Sequence, residues 1–133
     1  MSHSNQLVDT DVEWATQSDV NTLITGGDRR SRSALARFVH QRSARCDGPF
    51  VVVPGAEPYW PSAAGGTIFI EEVGDLSGDM QQKLMRLVER DQIDRRDVRI
   101  IGATGQNILE RVESRAFDAS LFYRLNVIHI VIP

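Results

Sequence analysis

The sequence has one cysteine, one lysine, few aromatic residues and no long apolar run. Cys46 cannot form an internal disulfide, and no cysteine–histidine cluster surrounds it, so a zinc site is not expected. A transmembrane helix needs about 20 consecutive apolar residues, and the longest stretch here is only a few residues long, so we expect no membrane association. The N-terminus lacks the basic start and apolar core of a secretory signal. These absences favour a cytoplasmic protein.

The chain of 133 residues is 41% hydrophobic and 25% charged, which is typical of one domain with a single core. Its net charge of −3 provides no general attraction for nucleic acid. Because no helix-turn-helix pattern is evident either, direct DNA binding is not expected. Six arginines lie between Asp28 and Asp47 with no acid among them: Arg29, Arg30, Arg32, Arg37, Arg42 and Arg45. This segment is either a solvated helix face or a surface for an anion or a partner.

Short apolar runs predict five strands, and helical spacing of apolar residues predicts helices between them. The strands are expected at 22–25, 50–53, 67–70, 98–102 and 127–132, and the helices at 12–18, 31–43, after Ser77, 108–113 and 117–125. Residues 91–97 form a charged connector. Residues 1–11 are polar and are expected to be a flexible segment ahead of a domain at 12–133. Strands that alternate with helices predict a mostly parallel sheet inside a three-layer α/β/α sandwich.

The turn after the first strand has the setting of a phosphate-binding loop, since a glycine pair leads from a strand into a helix. A working P-loop has the pattern G-x-x-x-x-G-K-[ST]. Here Ser31 stands at the second glycine and Arg32 at the lysine, while Asp28 adds a negative charge beside any phosphate. The residues by themselves therefore favour a plain strand-to-helix turn. The candidate nucleotide-binding residues are Gly26, Gly27, Arg32 and Ser33.

Two further strand ends carry candidate chemistry, because ligands of parallel sheets lie beyond the carboxyl ends of the strands. Glu71 and Glu72 follow the third strand, where an acidic pair could hold magnesium and polarise a water. The alternative is that one of them caps a helix or pairs with an arginine. Gly105 follows the fourth strand and has no side chain with which to align a water. His40 is interpreted as a surface or packing residue and His129 as a core or sheet-face residue of the last strand, and neither supports a hydrolase triad.

Taken together, these segments resemble the AAA+ domain of bacterial enhancer-binding proteins, the NtrC-type activators of sigma-54 RNA polymerase. The matching blocks follow one another in order at 23–26, 35–43, 48–51, 65–77, 81–90, 97–104 and 121–127. The block at 65–77, GGTIFIEEVGDLS, is similar to the Walker B stretch of that family. The resemblance implies a P-loop NTPase core, and it implies that the helical lid subdomain would begin only where this chain stops, at Pro133.

The same resemblance shows where this chain departs from the family. Arg32 stands at the essential lysine, Glu71 at the magnesium aspartate and Gly105 at the asparagine that senses the γ-phosphate. Of the two arginine fingers that act in trans, the first falls on Asp118. Glu72 and Arg124 retain the family residues at the catalytic glutamate and the second finger. The long insertion with the GAFTGA loop, which touches the sigma factor, is absent between 50 and 65.

These departures imply a degenerate ATPase, since one arginine finger alone contributes about 10³–10⁵ in rate. The expected function is a non-catalytic module of bacterial transcriptional regulation that binds a protein partner, either an AAA+ activator or a second copy of itself. No cofactor is expected in that case. One alternative is an ATP-binding protein with slow ATPase activity, which would use ATP and Mg²⁺. Another is a truncated remnant of a sigma-54-dependent response regulator.

Overall fold

The structure is a computed structural model that describes residues 3–55, 60–94 and 98–133, with side chains described outside 3–7 and 90–94. The elements in chain order are α1 (His3–Gln17), β1 (Thr22–Gly26), α2 (Arg29–Gln41), β2 (Phe50–Val53), β3 (Thr67–Ile70), a 3-10 turn (Val73–Asp75), α3 (Gly78–Asp94), β4 (Arg99–Thr104), α4 (Ile108–Glu113), α5 (Ala119–Leu125) and β5 (Ile128–Ile132). No helix among these residues is long and apolar enough to cross a membrane.

The five strands form one sheet in the order β2-β3-β4-β1-β5, and all four neighbouring pairs are parallel. In the register of the central strands, Thr22 of β1 lies opposite Ile101 of β4 and Ile128 of β5. The carboxyl ends of β1, β3 and β4 therefore meet at one edge of the sheet. This edge brings together the three strand ends that the sequence predicted to carry chemistry.

Helices cover both faces of the sheet, which confirms the three-layer α/β/α architecture. One face packs α3, α4 and α5 against the strands, with a core that includes Leu84, Phe117, Leu121, Leu125, Leu23, Ile68 and Ile70. The other packs α1 and α2, with a core that includes Ala15, Ala36, Val39, Ile24, Phe69, Ile101 and Ile130. Every residue of β3 and β4 is buried, as expected for central parallel strands that are covered on both sides.

Several predicted boundaries differ from the structure by about two residues, as in α2, β4 and α5, and two differ by more. Helix α1 begins at His3 rather than at residue 12, so it includes most of the segment expected to be flexible. Its residues Val8, Val12 and Ala15 lie at helical spacing and pack with the core on the β5 side of the sheet. Helix α3 continues to Asp94, through the first part of the predicted connector, while 95–97 lie outside the described residues. The predicted cap of α3 is confirmed, because the Ser77 hydroxyl accepts a hydrogen bond from the Met80 N–H at 3.1 Å.

The arginine-rich segment is not a uniform solvated face. Arg32 and Arg45 are each only 8% exposed. The Arg45 guanidinium binds the Asp19 carboxylate, at 2.6 Å from Nη2 to Oδ2, and also donates to the Gly66 carbonyl. Phe38 of the same helix is 39% exposed although it is apolar, and it lies beneath the Arg42 guanidinium. Only part of this arginine cluster is therefore available to a ligand or partner.

Candidate functional site

The turn between β1 and α2 is tight because two glycines adopt left-handed backbone conformations. Gly26 has a φ of 79° and Gly27 a φ of 57°, a region that L side chains rarely adopt. A Cβ on Gly26 would lie 2.1 Å from the carbonyl oxygen of Ile132, so glycine is required here by space as well. The turn thus passes close to the end of β5, and it places the N-terminus of α2 near the carboxyl ends of the strands. We call residues 26–33 the cradle.

The N-terminus of α2 is already capped by an anion from the chain itself. The Asp28 carboxylate accepts a hydrogen bond from the Ser31 N–H at 2.7 Å, and the Ser31 hydroxyl accepts one from the Asp28 N–H at 2.9 Å. These two bonds form a capping box, and the bond from the Ser31 backbone lowers the pKa of Asp28. The carboxylate therefore occupies the helix end at which a P-loop binds a phosphate.

The Arg32 side chain fills the cradle. Its Nη1 donates to the carbonyl oxygens of Gly26 and Gly27, at 2.9 and 3.0 Å. Its Nε is buried without a hydrogen-bond partner among the described residues. A lysine at this position would present one flexible ammonium, whereas the planar guanidinium forms two bonds to the loop at once. The Arg32 side chain is thus bound to the loop that it would otherwise leave open for phosphate.

The end of β4 closes the cradle from the other side. A Cβ built on Gly105 would lie 2.9 Å from Nη2 of Arg32 and 3.4 Å from its Cζ, so the guanidinium packs directly over this glycine. The Gly105 N–H donates to Oε1 of Glu72 at 2.9 Å. Position 105 offers no polar side chain to this site, as predicted, and its Cα forms part of the wall around Arg32.

The two glutamates after β3 have different surroundings. Glu72 uses both carboxylate oxygens as acceptors, one for the Gly105 N–H and the other for the Gly74 N–H at 2.9 Å, and it caps the 3-10 turn. This matches the alternative in which one glutamate is a cap. Glu71 is half-buried and borders an open depression of about 530 Å³, lined also by Arg29, Arg30, Ser33, Ala34 and Arg37. Among the described residues, no group of three or more His, Cys, Asp or Glu is placed to hold a metal ion.

Asp118 and Arg124, the positions that the resemblance assigns to arginine fingers, lie away from the cradle. Asp118 is the N-cap of α5, since its carboxylate accepts from the Leu121 N–H at 2.8 Å. Arg124 lies in the last turn of α5, where its backbone carbonyl accepts from the Asn21 side chain and its guanidinium is 3.8 Å from Glu89 Oε1. Asn21 immediately precedes β1, whereas the cradle follows β1. The Arg124 carbonyl is therefore separated from the cradle by about the length of β1, roughly 15 Å at about 3.3 Å per residue, and lies at the opposite end of the strands.

His40 and His129 are both hydrogen-bonded within the fold, but only His40 is packed in the interior, whereas His129 is exposed and is not part of the core. His40 is buried between the Thr67 hydroxyl, 2.9 Å from Nδ1, and the Gly48 carbonyl, 3.2 Å from Nε2. Burial lowers the pKa of His40, and the nearby Arg99 and Arg45 cations act in the same direction. His129 is exposed on β5, and its Nε2 lies 2.7 Å from the Thr25 hydroxyl.

The family implied by the resemblance uses ATP and Mg²⁺, so the fit of a triphosphate to these residues can be tested directly. Asp28 occupies the helix N-terminus, Arg32 occupies the loop, and Glu72 spends both oxygens on backbone N–H groups. Phosphate binding requires those backbone and side-chain groups to face the ligand instead. In this arrangement the cradle does not fit a bound triphosphate.

Comparison with known proteins identifies the family. The family model for the sigma-54 interaction domain matches residues 55–131. The chain belongs to this family. The match to the sigma-54 interaction domain begins after β2 and therefore does not include the cradle.

Individual relatives of this sigma-54 interaction domain cover nearly the whole chain. The DNA-binding transcriptional regulator NtrC of Escherichia coli is 30% identical over 89% of the chain and 32% of its own length. A Geobacillus stearothermophilus protein named limonene hydroxylase is 34% identical over 90% of the chain and 28% of its own length. The crystal structure of NtrX from Brucella abortus in complex with ATP is 26% identical, with a TM-score of 0.83, and covers 100% of the chain and 36% of NtrX. The chain thus spans about a third of each of these proteins.

The alignments also agree with the expected loss of an inserted segment. The alignment with NtrC spans 152 positions while covering 89% of this 133-residue chain, so NtrC carries more residues over the same part of the fold. In this chain β2 and β3 are joined by residues 54–66 alone.

Sequence reasoning missed two parts of the site. It interpreted Asp28 only as a charge beside phosphate, although an aspartate directly before a helix is a strong N-cap signal. It also treated Arg32 and Gly105 as separate losses. No sequence signal joins these two residues, because their contact depends on the pairing of β1 with β4.

Proposed function

We propose that this sigma-54 interaction domain is a non-catalytic module of bacterial transcriptional regulation that acts by binding a protein partner. The partner is an AAA+ activator of the same family or a second copy of this chain. The observation that carries the proposal is the Arg32 side chain, which occupies the cradle through two hydrogen bonds to its own loop. A folded core with an occupied cradle supports a role for the fold rather than for nucleotide hydrolysis.

The surface around Arg124 is the part of the domain that best fits a protein partner. Tyr123 is 73% exposed and Val127 is 56% exposed, on either side of the half-buried Arg124. They border a groove of about 370 Å³ together with Asp19, Val20, Asn21, Val88 and Val98. Exposed aromatic and arginine side chains are the residue types that dominate binding at protein interfaces. We call Tyr123, Arg124 and Val127 the Arg124 face.

The test combines nucleotide binding and partner binding on the purified chain. A ligand at 100 times its Kd stabilises a protein by about 2.7 kcal/mol, so Mg-ATP binding would raise the melting temperature by several degrees. We expect no rise for the wild-type chain at millimolar Mg-ATP. Light scattering measures the molar mass of the chain alone and of its mixture with the AAA+ domain of an activator from the same cell. In the absence of nucleotide, we expect the chain to form a complex with that domain or with a second copy of itself.

The contribution of the Arg124 face is measured with two matched variants. Tyr123→Ala removes an exposed aromatic side chain from the face, and Leu109→Ala removes an apolar side chain that is 58% exposed on α4. Both leave the core intact, so only Tyr123→Ala is expected to weaken the complex. A saturable rise in melting temperature with Mg-ATP would favour the alternative of a nucleotide-binding protein. Absence of any complex, with the activator domain or with itself, would contradict the interaction role.

A further inference from the structure

The guanidinium of Arg32 and the Cα of Gly105 are in close contact across the cradle. A Cβ at position 105 would lie 2.9 Å from Nη2, 3.4 Å from Cζ and 3.6 Å from Nη1 of Arg32. A separation of 2.9 Å is shorter than real Cβ atoms tolerate, so one of the two residues would have to move. All three atoms that a Cβ would meet belong to the same guanidinium.

The backbone does not explain why position 105 is glycine. Gly105 is not among the glycines with positive φ, which are Gly26, Gly27, Gly55 and Gly65. Its backbone is therefore in a region open to alanine. The nearest atoms that would oppose a Cβ are those of Arg32.

Neither partner is free to move away without losing hydrogen bonds. Nη1 of Arg32 is hydrogen-bonded to the carbonyls of Gly26 and Gly27, and Arg32 is only 8% exposed. The Gly105 N–H is bonded to Glu72, whose other oxygen is bonded to the Gly74 N–H. The 3-10 turn thus holds the end of β4 against Arg32.

We propose that Gly105 and Arg32 form a matched pair in which Gly105 is the residue that admits the guanidinium into the cradle. Exclusion of nucleotide then depends on both residues together, and not on Arg32 alone. This proposal rests on the proposed function, since it explains how the cradle is kept closed to a nucleotide. It also predicts that the effects of substitutions at 32 and 105 on stability are not additive.

A double-mutant cycle tests the pair, with urea unfolding of the wild-type chain, Gly105→Ala, Arg32→Lys and the double variant. Gly105→Ala is expected to lower the urea midpoint of the wild-type chain, because the new Cβ displaces Arg32. In the Arg32→Lys background the same change is expected to leave the midpoint unchanged or raise it, since alanine restricts the unfolded chain. Gly78→Ala is the control, because a Cβ at Gly78 meets nothing within 4 Å. Its shift is expected to be equal in both backgrounds.

The outcomes separate this proposal from the proposed function. Equal shifts for Gly105→Ala in both backgrounds, or failure to fold in both, would overturn the matched pair. A Gly105→Ala chain that folds only with Arg32→Lys would support it. Mg-ATP binding is measured on the same four proteins. Binding by the wild-type chain would contradict the proposed function, whereas non-additive effects of Arg32→Lys and Gly105→Ala on stability could still be observed. Absence of both binding and coupling would leave the proposed function standing without the pair.

Discussion

The buried Arg99 provides the sharpest prediction for stability. It is 1% exposed, and its Nη2 donates to the Ala15 carbonyl at 2.8 Å and to the Thr22 hydroxyl at 3.0 Å, while Nε donates to the Val20 carbonyl at 3.0 Å. Ala15 lies in the last turn of α1, where carbonyls have no partner within the helix. Arg99 therefore ties the end of α1 to β4 and to the start of β1. We predict that Arg99→Met destabilises the fold.

The magnitude follows from two opposing contributions. Burial lowers the pKa of Arg99 from 12.5 to about 10, so the group remains charged at pH 7. This lowering is the net effect of burial, the Asp19 carboxylate and the Arg45 cation, and at about 1.4 kcal/mol for each tenfold change in proton affinity it corresponds to about 3 kcal/mol against the buried charge. The three hydrogen bonds from a charged donor contribute about 2 kcal/mol each, or roughly 6 kcal/mol together. The hydrogen bonds outweigh the cost of burying the charge, so Arg99→Met is expected to lower the free energy of unfolding by about 3 kcal/mol.

Urea unfolding monitored by circular dichroism measures this loss directly, and in a domain of this size 3 kcal/mol corresponds to roughly 10 °C in melting temperature. Arg86→Met is the matched control, since Arg86 is exposed on α3, and its effect is expected to lie within about 0.5 kcal/mol. Hydrogen exchange is expected to accelerate in α1 first. An Arg99→Met chain as stable as the wild type, or more so, would refute the reasoning by showing that desolvation outweighs the bonds.

Two further predictions concern His40 and Asp118. Because the folded pKa of His40 lies below its ordinary value of 6.5, the unfolded chain binds more protons, and stability is lost as the pH falls below about 6.5, by at most about 1.4 kcal/mol per pH unit. Urea unfolding at pH 7.5 and 5.5 is expected to show a smaller difference for His40→Gln than for the wild type; an equal difference would assign the dependence to other groups. Asp118→Ala is expected to cost about 1 kcal/mol by uncapping α5, whereas Asp118→Asn retains the cap; equal losses would contradict the capping role.

Local patterns in the sequence were sufficient for most of the fold. β2 and β3 match their predicted bounds because each is an apolar run closed by proline or glycine turns. The start of α1 was missed because its few apolar residues become a helix face only when they pack on the distant β5. The inward position of Arg45 was missed for the same reason, since Asp19 and Gly66, which pair with it, are far away in sequence.

The family, the parallel sheet and the positions of the candidate site residues can all be inferred from the amino-acid sequence, because apolar spacing, turn residues and motif positions are local properties of the chain. What the candidate site residues contact depends on the folded arrangement of the chain. In the folded chain the Arg32 guanidinium binds its own loop and packs against Gly105, and Glu72 and Asp118 are caps. The contact between Arg32 and Gly105 joins segments that are distant in the chain, and the parallel pairing of β1 with β4 brings these two residues within contact distance.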